Sequence, residues 1–392
     1  MRMTQLKTIA DIQTGPFGSQ LHKEDYVETG TPIVTVEHLG NRVFTEQNLP
    51  RVSDSDKARL IKYTLSTGDI VFSRVGSVDR CSYVDKSHDG WMFSGRCLRV
   101  RPTELVDSLY LYYYFCLEET KQLVRNIAVG ATMPSINTKL LGEVEIALPD
   151  LNNQKRIAAV LSSLDDKIEN NQKLNDNLYE MVNAYYTSLF KDVECEMTTI
   201  GNYAERIYSG GTPTTSNAAY WDGAFGWFSS GETRNRFVIS TEKTITQAGI
   251  DNSSTKLAAK HDIVMASAGQ GFTRGQTSML LIDTYVNQSV IVIHAERNVL
   301  PYLFWNLANR YEELRAISDS SSIRGSLTTK MIATFEIPLA NEESLQAFAD
   351  FSWSVIPQIE NNLLENERLA ALRDNLLPKL MSGEIDVSNI QL

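Results

Sequence analysis

The longest hydrophobic pattern in the chain has the periodicity of a helix. Apolar residues recur every three or four positions from Ile157 to Leu189, and the stretch after Pro149 contains neither Gly nor Pro. This spacing predicts one helix from Gln154 to Phe190, which would be about 55 Å long at 1.5 Å per residue. A helix of this length cannot bury its apolar face on one compact domain, so it requires a partner helix.

An internal repeat supplies that partner. Ile359-Glu360-Asn361-Asn362 repeats Ile168-Glu169-Asn170-Asn171 at an offset of 191 residues, and the same offset carries Lys139 onto Lys330. The pattern therefore predicts two copies of one unit, each a globular half followed by a long helix. If the two helices pair antiparallel as a coiled coil, a pseudo-two-fold axis relates the copies. The residues expected to pair the helices are Ile157, Leu161, Leu164, Ile168, Asn171, Leu178, Met181, Val355, Ile359, Asn362, Leu369, Leu372 and Leu376.

Two features interrupt the apolar pattern of these helices. Asn171 and Asn362 fall midway along the predicted stripe, where a polar residue often fixes the register of paired helices. The alternative is that both are solvated side chains on a broad face. Pro357 lies inside the second segment and removes a backbone hydrogen bond, so the helix is expected to start afresh near Ile356 or to bend there.

Outside the helices the pattern changes to short alternating runs separated by turns that contain Gly and Pro. Each half also has one short helix and a closing strand, and Gly68–Arg74 matches His261–Ser267. We therefore predict an α+β protein with similar globular domains at residues 1–147 and 198–340. Long helical segments are expected at residues 148–197 and 341–392.

Composition indicates an ordinary globular protein, with 42% hydrophobic and 22% charged residues. The net charge of −11 argues at first against nucleic-acid binding. Residues 1–148 nevertheless carry 17 basic and 18 acidic groups, and residues 198–340 carry 12 of each. The acidic excess lies in the helical segments, so charge allows DNA binding by the globular halves without indicating it.

Sequence features of secretion, membrane insertion and metal binding are missing. The N-terminus lacks the apolar core of a secretory signal, and the longest apolar run, residues 109–117, is too short to span a bilayer. The four cysteines have no CxxC spacing. We expect a cytoplasmic protein with no metal site and no membrane partner.

Motifs of catalysis are also missing. There is no GxxxxGK[ST] loop for nucleotides, and none of the 11 prolines precedes another proline, as an amino-methyltransferase loop requires. The chain is therefore expected to be non-catalytic, with no cofactor, and the alternative of an enzyme with an unrecognised site is weakened.

The ordered, duplicated set of motifs resembles the specificity subunit of Type I restriction–modification systems. The first helix opens with Leu148-Pro149, Gln154, Ile157, Leu161, Asp165 and Ile168-Glu169. The globular halves add Gly15–Ser19, Gly68–Arg74, Ser209–Pro213 and Tyr220–Gly223, and the second helix adds Leu377–Leu380. The second copy departs from the pattern, with Leu345 where Gln154 would map and Ile356-Pro357 in place of Asp165-Asp166.

The resemblance implies two target-recognition domains, each of which reads one half of a bipartite site in double-stranded DNA, separated by two antiparallel helices. It also implies assembly with two methyltransferase subunits, and with restriction/translocase subunits in the full complex. The competing hypothesis is a two-headed protein-binding scaffold with a coiled-coil stalk.

Sequence-specific DNA binding requires polar and basic side chains that reach bases and phosphates. The stretch from Arg74 to Arg101 carries six basic and three acidic residues, although an ordinary strand surface would also explain it. The candidate DNA contacts in the first half are Ser19, Ser73, Arg74, Arg80, Arg96, Arg99 and Lys139. Those in the second half are Thr212, Arg234, Ser267, Gln270, Arg274, Arg324 and Lys330.

Overall fold

A computed structural model describes residues 2–191, 196–269, 273–320 and 325–388. The chain divides into two compact units. The first unit contains residues 1–169 and 368–392, and the second contains residues 170–367. Each unit therefore combines one globular domain with parts of both long helices.

The first unit contains ten strands and the whole or part of six helices among the described residues. Its strands are β1 (Arg2–Gln5), β2 (Ala10–Thr14), β3 (Tyr26–Val27), β4 (Thr31–Val34), β5 (Arg51–Val52), β6 (Ile70–Ser73), β7 (Cys81–Tyr83), β8 (Met92–Phe93), β9 (Cys97–Pro102) and β10 (Glu145–Leu148). Its helices are α1 (Asp54–Arg59), α2 (Ser108–Cys116), α3 (Glu118–Ile127), α4 (Thr138–Gly142), the start of α5 (Leu151–Phe190) and the end of α11 (Glu342–Ser382).

The second unit has a similar order of elements, with eleven strands among the described residues. Its strands are β11 (Met197–Thr199), β12 (Ala204–Ser209), β13 (Trp221–Phe228), β14 (Phe237–Val238), β15 (Lys243–Ile245), β16 (Lys256–Ala258), β17 (Ile263–Ala266), β18 (Thr277–Leu280), β19 (Thr284–Val286), β20 (Val290–Ala295) and β21 (Glu336–Pro338). Its further helices are α6 (Ile200–Tyr203), α7 (Gln247–Asp251), α8 (Leu300–Asn309), α9 (Tyr311–Ser320) and α10 (Thr329–Ala333).

Both domains are built on the same antiparallel sheet. The strand order is β2-β9-β6-β7 in the first unit, and β12-β20-β17-β18 in the second, where β14 is added parallel to β18. A second four-stranded sheet packs in each domain, with the order β3-β5-β4-β8 or β15-β13-β19-β16. In each copy the first and last strands, β1 with β10 and β11 with β21, pair antiparallel.

In the first unit the two long helices run antiparallel and pack on the domain. Ile157 and Leu161 of α5 share one core with Leu377 and Leu380 of α11. Asp165, only 5% exposed, accepts a hydrogen bond from the Tyr113 hydroxyl at 2.6 Å. It also forms an ion pair with Arg373 of α11 at 2.6 Å. This buried group therefore joins α5, α11 and the domain.

In the second unit the same two helices are joined by amide side chains. Asn171 Nδ2 donates to Asn366 Oδ1 at 2.9 Å, and Asn362 Nδ2 donates to Asn175 Oδ1 at 2.7 Å. The repeat offset of 191 residues exchanges these two contacts. Because Asn171 and Asn362 are both buried, they are not solvated side chains on a broad face. They hold the helices in one register, since a slip would leave buried amides without partners.

The ion pair of the first unit has an apolar counterpart in the second. The offset carries Asp165 onto Ile356 and Arg373 onto Val182, and both of these residues are buried in the core of the second unit. The two copies thus fill equivalent positions between the helices with an ion pair in the first unit and with apolar side chains in the second.

The buried face of the helices coincides only in part with the row of apolar residues that the sequence predicted. In α5 it passes through Tyr179, Val182, Tyr186 and Phe190, because these side chains pack on the domain as well as on α11. The Tyr179 ring, for example, stacks on Trp305 at 5.7 Å. Six of the predicted pairing residues are buried: Ile157, Leu161, Asn171, Val355, Ile359 and Asn362. Five are half-buried: Leu164, Ile168, Leu178, Leu369 and Leu376. Met181 and Leu372 are exposed.

Pro357 does not restart the second helix, so that part of the prediction was wrong. Helix α11 begins at Glu342 and continues through Pro357. A proline inside a helix costs about 3 kcal/mol. Phe348, Val355, Ile356 and Ile359 flank it and are all buried, and burial of each such side chain contributes about 1.5–3 kcal/mol. The packing therefore outweighs the lost hydrogen bond.

We expect Asp165→Ala to destabilise the first unit by about 2–4 kcal/mol, because it leaves the Tyr113 hydroxyl without its acceptor and leaves Arg373 with only the exposed carboxylate of Asp374. Calorimetric melting of the full chain, with hydrogen exchange to assign the transitions, measures this effect. Asp176→Ala is the control, since Asp176 is largely exposed in its pair with Arg236 and should cost at most about 1 kcal/mol. Equal effects of the two variants would contradict the assignment.

Candidate nucleic-acid interface

In the first unit four segments meet where β6 ends. The backbone N–H of Arg74 donates to the Arg96 carbonyl at 2.8 Å, and Ile136 donates to the Arg74 carbonyl at 2.9 Å. Gly76 donates to the Pro134 carbonyl at 2.8 Å. These bonds bring the segments at residues 74–76, 94–96 and 134–136 together, although they are far apart in sequence.

The fourth segment, residues 15–20, is held against this group by glycines. A Cβ atom on Gly15 would lie 2.1 Å from the Ser94 carbonyl oxygen, and one on Gly95 would lie 2.4 Å from the Pro16 carbonyl oxygen. Because real Cβ atoms do not approach so closely, only glycine allows this contact between the two backbones. The loop that carries Phe17 is therefore fixed to the segment that carries Arg96.

The side chains at this junction are cationic and apolar. The Arg74 guanidinium lies 5.6 Å from the centre of the Phe17 ring, and its Nη1 donates to the Gly95 carbonyl at 3.0 Å. Phe17 is 62% exposed, and Arg96 is exposed as well. Val129 and Met133, on the neighbouring loop, are 55% and 62% exposed. We call Phe17, Arg74 and Arg96 the Phe17 cluster.

The other predicted contacts of the first half lie elsewhere or are engaged within the protein. Ser73 is buried and its hydroxyl donates to the Val75 carbonyl at 2.7 Å. Arg80 donates to the Leu39 carbonyl. Arg99 is buried and pairs with Asp11 at 2.8 Å. Ser19 lies in the turn Gly18–Gln20. The structure thus brings only part of the predicted set to one place.

Backbone hydrogen bonds identify the equivalent positions in the second unit. Ser209 pairs with Ile291 as Thr14 pairs with Leu98, which makes Thr212 the counterpart of Phe17. Ser267 donates to the Ser289 carbonyl at 2.9 Å, as Arg74 does to Arg96. Leu327 donates to the Ser267 carbonyl, as Ile136 does to Arg74. The counterparts of the Phe17 cluster are therefore Thr212, Ser267 and Ser289.

The predicted contacts of the second half have varied surroundings. The Thr212 hydroxyl bonds the Gln288 side chain, and Ser267 is buried. Arg234 is exposed and pairs with Glu242. Arg274 donates to the Gly325 carbonyl and pairs with Asp319 at 2.7 Å, so it fixes a loop. Gln270 and Arg324 lie outside the described residues.

Lys139 and Lys330 occupy matching positions in the two copies. Each lies on a short helix, α4 or α10, whose first residues are capped by a side chain of Asn137 or Thr328. Both lysines are exposed. Among the described residues neither ammonium group has a hydrogen-bond or ion-pair partner in the protein. Each domain thus presents an exposed lysine at the same position of the repeat.

The acidic helices bind basic side chains of their own domains. In the first unit Arg42 pairs with Asp166 of α5 at 2.6 Å. In the second unit Arg236 pairs with Asp176 of α5 at 3.2 Å, and Lys260 with Glu360 of α11 at 2.6 Å. Part of the acidic excess of the helices is therefore paired with basic side chains, and these pairs hold each domain on the helices of its own unit.

Cys97, which follows Arg96 in the chain, is a buried thiol. Burial raises the pKa of the Cys97 thiol to about 12, so the thiol stays protonated and is a poor nucleophile. Within the described ranges no group of three or more His, Cys, Asp and Glu side chains could hold a metal ion. What this surface offers is a set of hydrogen-bond donors, cations and apolar side chains for binding.

Two domains of one topology, carried on paired helices and bearing different side chains at equivalent loop positions, define a duplicated binding protein. The family model of the Type I restriction modification DNA specificity domain matches residues 1–180 and 193–367. The chain therefore belongs to this family and contains two copies of its domain.

Individual relatives agree with this assignment. The HindI specificity subunit of Haemophilus influenzae is 21% identical over 83% of this chain and 88% of its own length. The MjaIX specificity subunit of Methanocaldococcus jannaschii is 23% identical over 74% of this chain and 72% of its own. The crystal structure of a Type I S subunit from M. genitalium shares the fold, with a TM-score of 0.60 and 17% identity over 97% of this chain and 95% of its own.

Proposed function

We propose that this chain is the non-catalytic subunit that reads a bipartite site in double-stranded DNA and directs its partner enzymes to that site. Residues 1–147 and 198–340 would be the two target-recognition domains. The observation that carries this proposal is the pairing of equivalent frameworks with different side chains at the same loop positions. Membership of the DNA specificity family favours this function over a protein-binding scaffold.

We infer that the partners are two methyltransferase subunits, joined by restriction/translocase subunits in a full endonuclease. Met181 and Leu372 are 45% and 47% exposed, and they are related by the repeat offset of 191 residues. The described parts of the two long helices also expose Leu151 and Leu174, but the repeat offset carries these onto Glu342 and Glu365. Exposed apolar side chains at equivalent positions of the two units support the binding of two copies of one partner.

We place this function in the cytoplasm. The described cysteines Cys81, Cys97 and Cys116 are free thiols, which fits a reducing compartment. No helix within the described parts of the chain has the length and apolar character needed to cross a bilayer.

Methylation mapping tests the proposed function directly. In cells that carry this chain with the methyltransferase subunit of its own system, sequencing of modified bases should show one motif of two short half-sites with an unspecified gap. Cells with the methyltransferase subunit alone are the control and should lack the motif. If the assembled complex methylates no motif, the proposed function is wrong and the scaffold hypothesis returns.

We expect Lys139 and Lys330 to contact phosphates, because both domains keep them while the residues around the loops differ. Lys139→Ala and Lys330→Ala should each weaken binding to every duplex by a similar factor. Each should also reduce the slope of log affinity against log salt by about 1. Fluorescence anisotropy of the complex between about 50 and about 200 mM salt measures both quantities.

The matched control for these variants is Lys173→Ala, which removes an exposed lysine from α5. Its salt slope should equal that of the unaltered complex. A loss confined to one DNA sequence would instead show that Lys139 or Lys330 reads bases.

A further inference from the structure

We propose that Arg74 reads a guanine in the major groove, and that Phe17 orients Arg74 and packs against the methyl group of a neighbouring thymine. This inference rests on the proposed function, since it presumes that the first domain binds duplex DNA. It adds the residue pair that reads the bases and the kind of base that this pair selects.

The Arg74 side chain is oriented for contact with a planar partner. One nitrogen, Nη1, is fixed by the Gly95 carbonyl at 3.0 Å, and the guanidinium lies beside the Phe17 ring at 5.6 Å. A guanidinium has five donors in a rigid fork, so the remaining donors stay available. Two of them can bond the O6 and N7 acceptors of guanine, which is the commonest specific contact of arginine with DNA.

Phe17 is an exposed aromatic side chain on a closely packed loop. The ring is 62% exposed, and the backbone on either side of it packs so tightly against residues 94–95 that no Cβ fits at Gly15 or Gly95. An aromatic side chain held in solvent beside a cation suits a partner with both an acceptor and an apolar group. A guanine next to a thymine methyl presents this combination in the major groove.

The charges of the Phe17 cluster favour an anionic partner. Among the described residues neither Arg74 nor Arg96 forms an ion pair with a carboxylate, whereas Arg42, Arg99, Arg101 and Arg125 do. Within the same part of the chain Arg51 and Arg80 also have no carboxylate partner, but they lie elsewhere in the domain, where they bond the Gly30 and Leu39 carbonyls. The Phe17 cluster therefore brings two unneutralised arginines together. Charge complementarity thus favours duplex DNA over an apolar protein surface.

The second domain has different side chains at the equivalent positions. They are Thr212, whose hydroxyl bonds the Gln288 side chain, the buried Ser267 and the half-buried Ser289. The framework is the same while the charge and the ring are absent. The first domain should therefore select a guanine at a place where the second domain selects by another pattern.

The test uses the assembled methyltransferase complex and a duplex that carries its mapped motif. We expect Arg74→Ala to weaken binding to this duplex at least about 10-fold and to relax selection at one G·C pair of the half-site read by the first domain. Binding to an unrelated duplex should change less than about twofold. Arg74→Lys should not restore selection, because a lysine keeps the charge without the fork.

A modified base tests the contact itself. Replacement of that guanine by 7-deazaguanine removes the N7 acceptor, so it should weaken the unaltered complex and leave the Arg74→Ala complex unaffected. Phe17→Ala should reduce selection at the same G·C pair and at its neighbour, and uracil in place of the adjacent thymine should mimic the second effect. Phe17→Leu keeps an apolar side chain and should retain the thymine preference.

Two results would overturn the inference. An equal loss on the motif and on the unrelated duplex would make Arg74 a phosphate contact, and unaltered binding by Arg74→Ala would remove it from the interface. Failure of the proposed function is distinguishable, because the unaltered complex would then show no preference for any duplex.

Discussion

The register between two antiparallel helices is the constraint on which each unit depends. A 40-residue helix has an apolar face that no single small domain can cover, so α5 must pack on α11. In the second unit, buried amide pairs hold this register, and in the first unit Asp165 does so by joining Arg373 and Tyr113. Burial and the neighbouring carboxylate both raise the pKa of Tyr113, so its hydroxyl stays a donor above the pH at which an exposed tyrosine ionises.

Once the helices are fixed, each domain has a defined base and its loops can differ freely. The order of the four antiparallel strands in the main sheet and the closing strand pair are the same in both copies, and the backbone bonds at the end of β6 recur at the end of β17. Changes from Phe17 to Thr212, or from Arg74 to Ser267, alter the surface without altering the strands below it. A repeated domain whose two copies carry different loop surfaces suits a DNA site made of two unlike half-sites.

The sequence predicted the elements that depend on local periodicity, including the long helix, the repeat and the strand that precedes Arg74. It did not predict which helical face is buried, because Met181 and Val182 are both apolar and only contact with the domain selects Val182. Nor did it place Phe17 beside Arg74, since that contact joins residues that are distant in sequence. The available signal was an aromatic residue between Gly15 and Gly18.

The central claim is that each domain carries its own specificity on a common frame, and replacement of residues 198–340 by residues 1–147 tests it most directly. Methylation mapping of the exchanged chain, in an assembled complex, should show the half-site of the first domain twice and the half-site of the second domain not at all. An assembled complex that still methylated the original pair of half-sites would contradict the account.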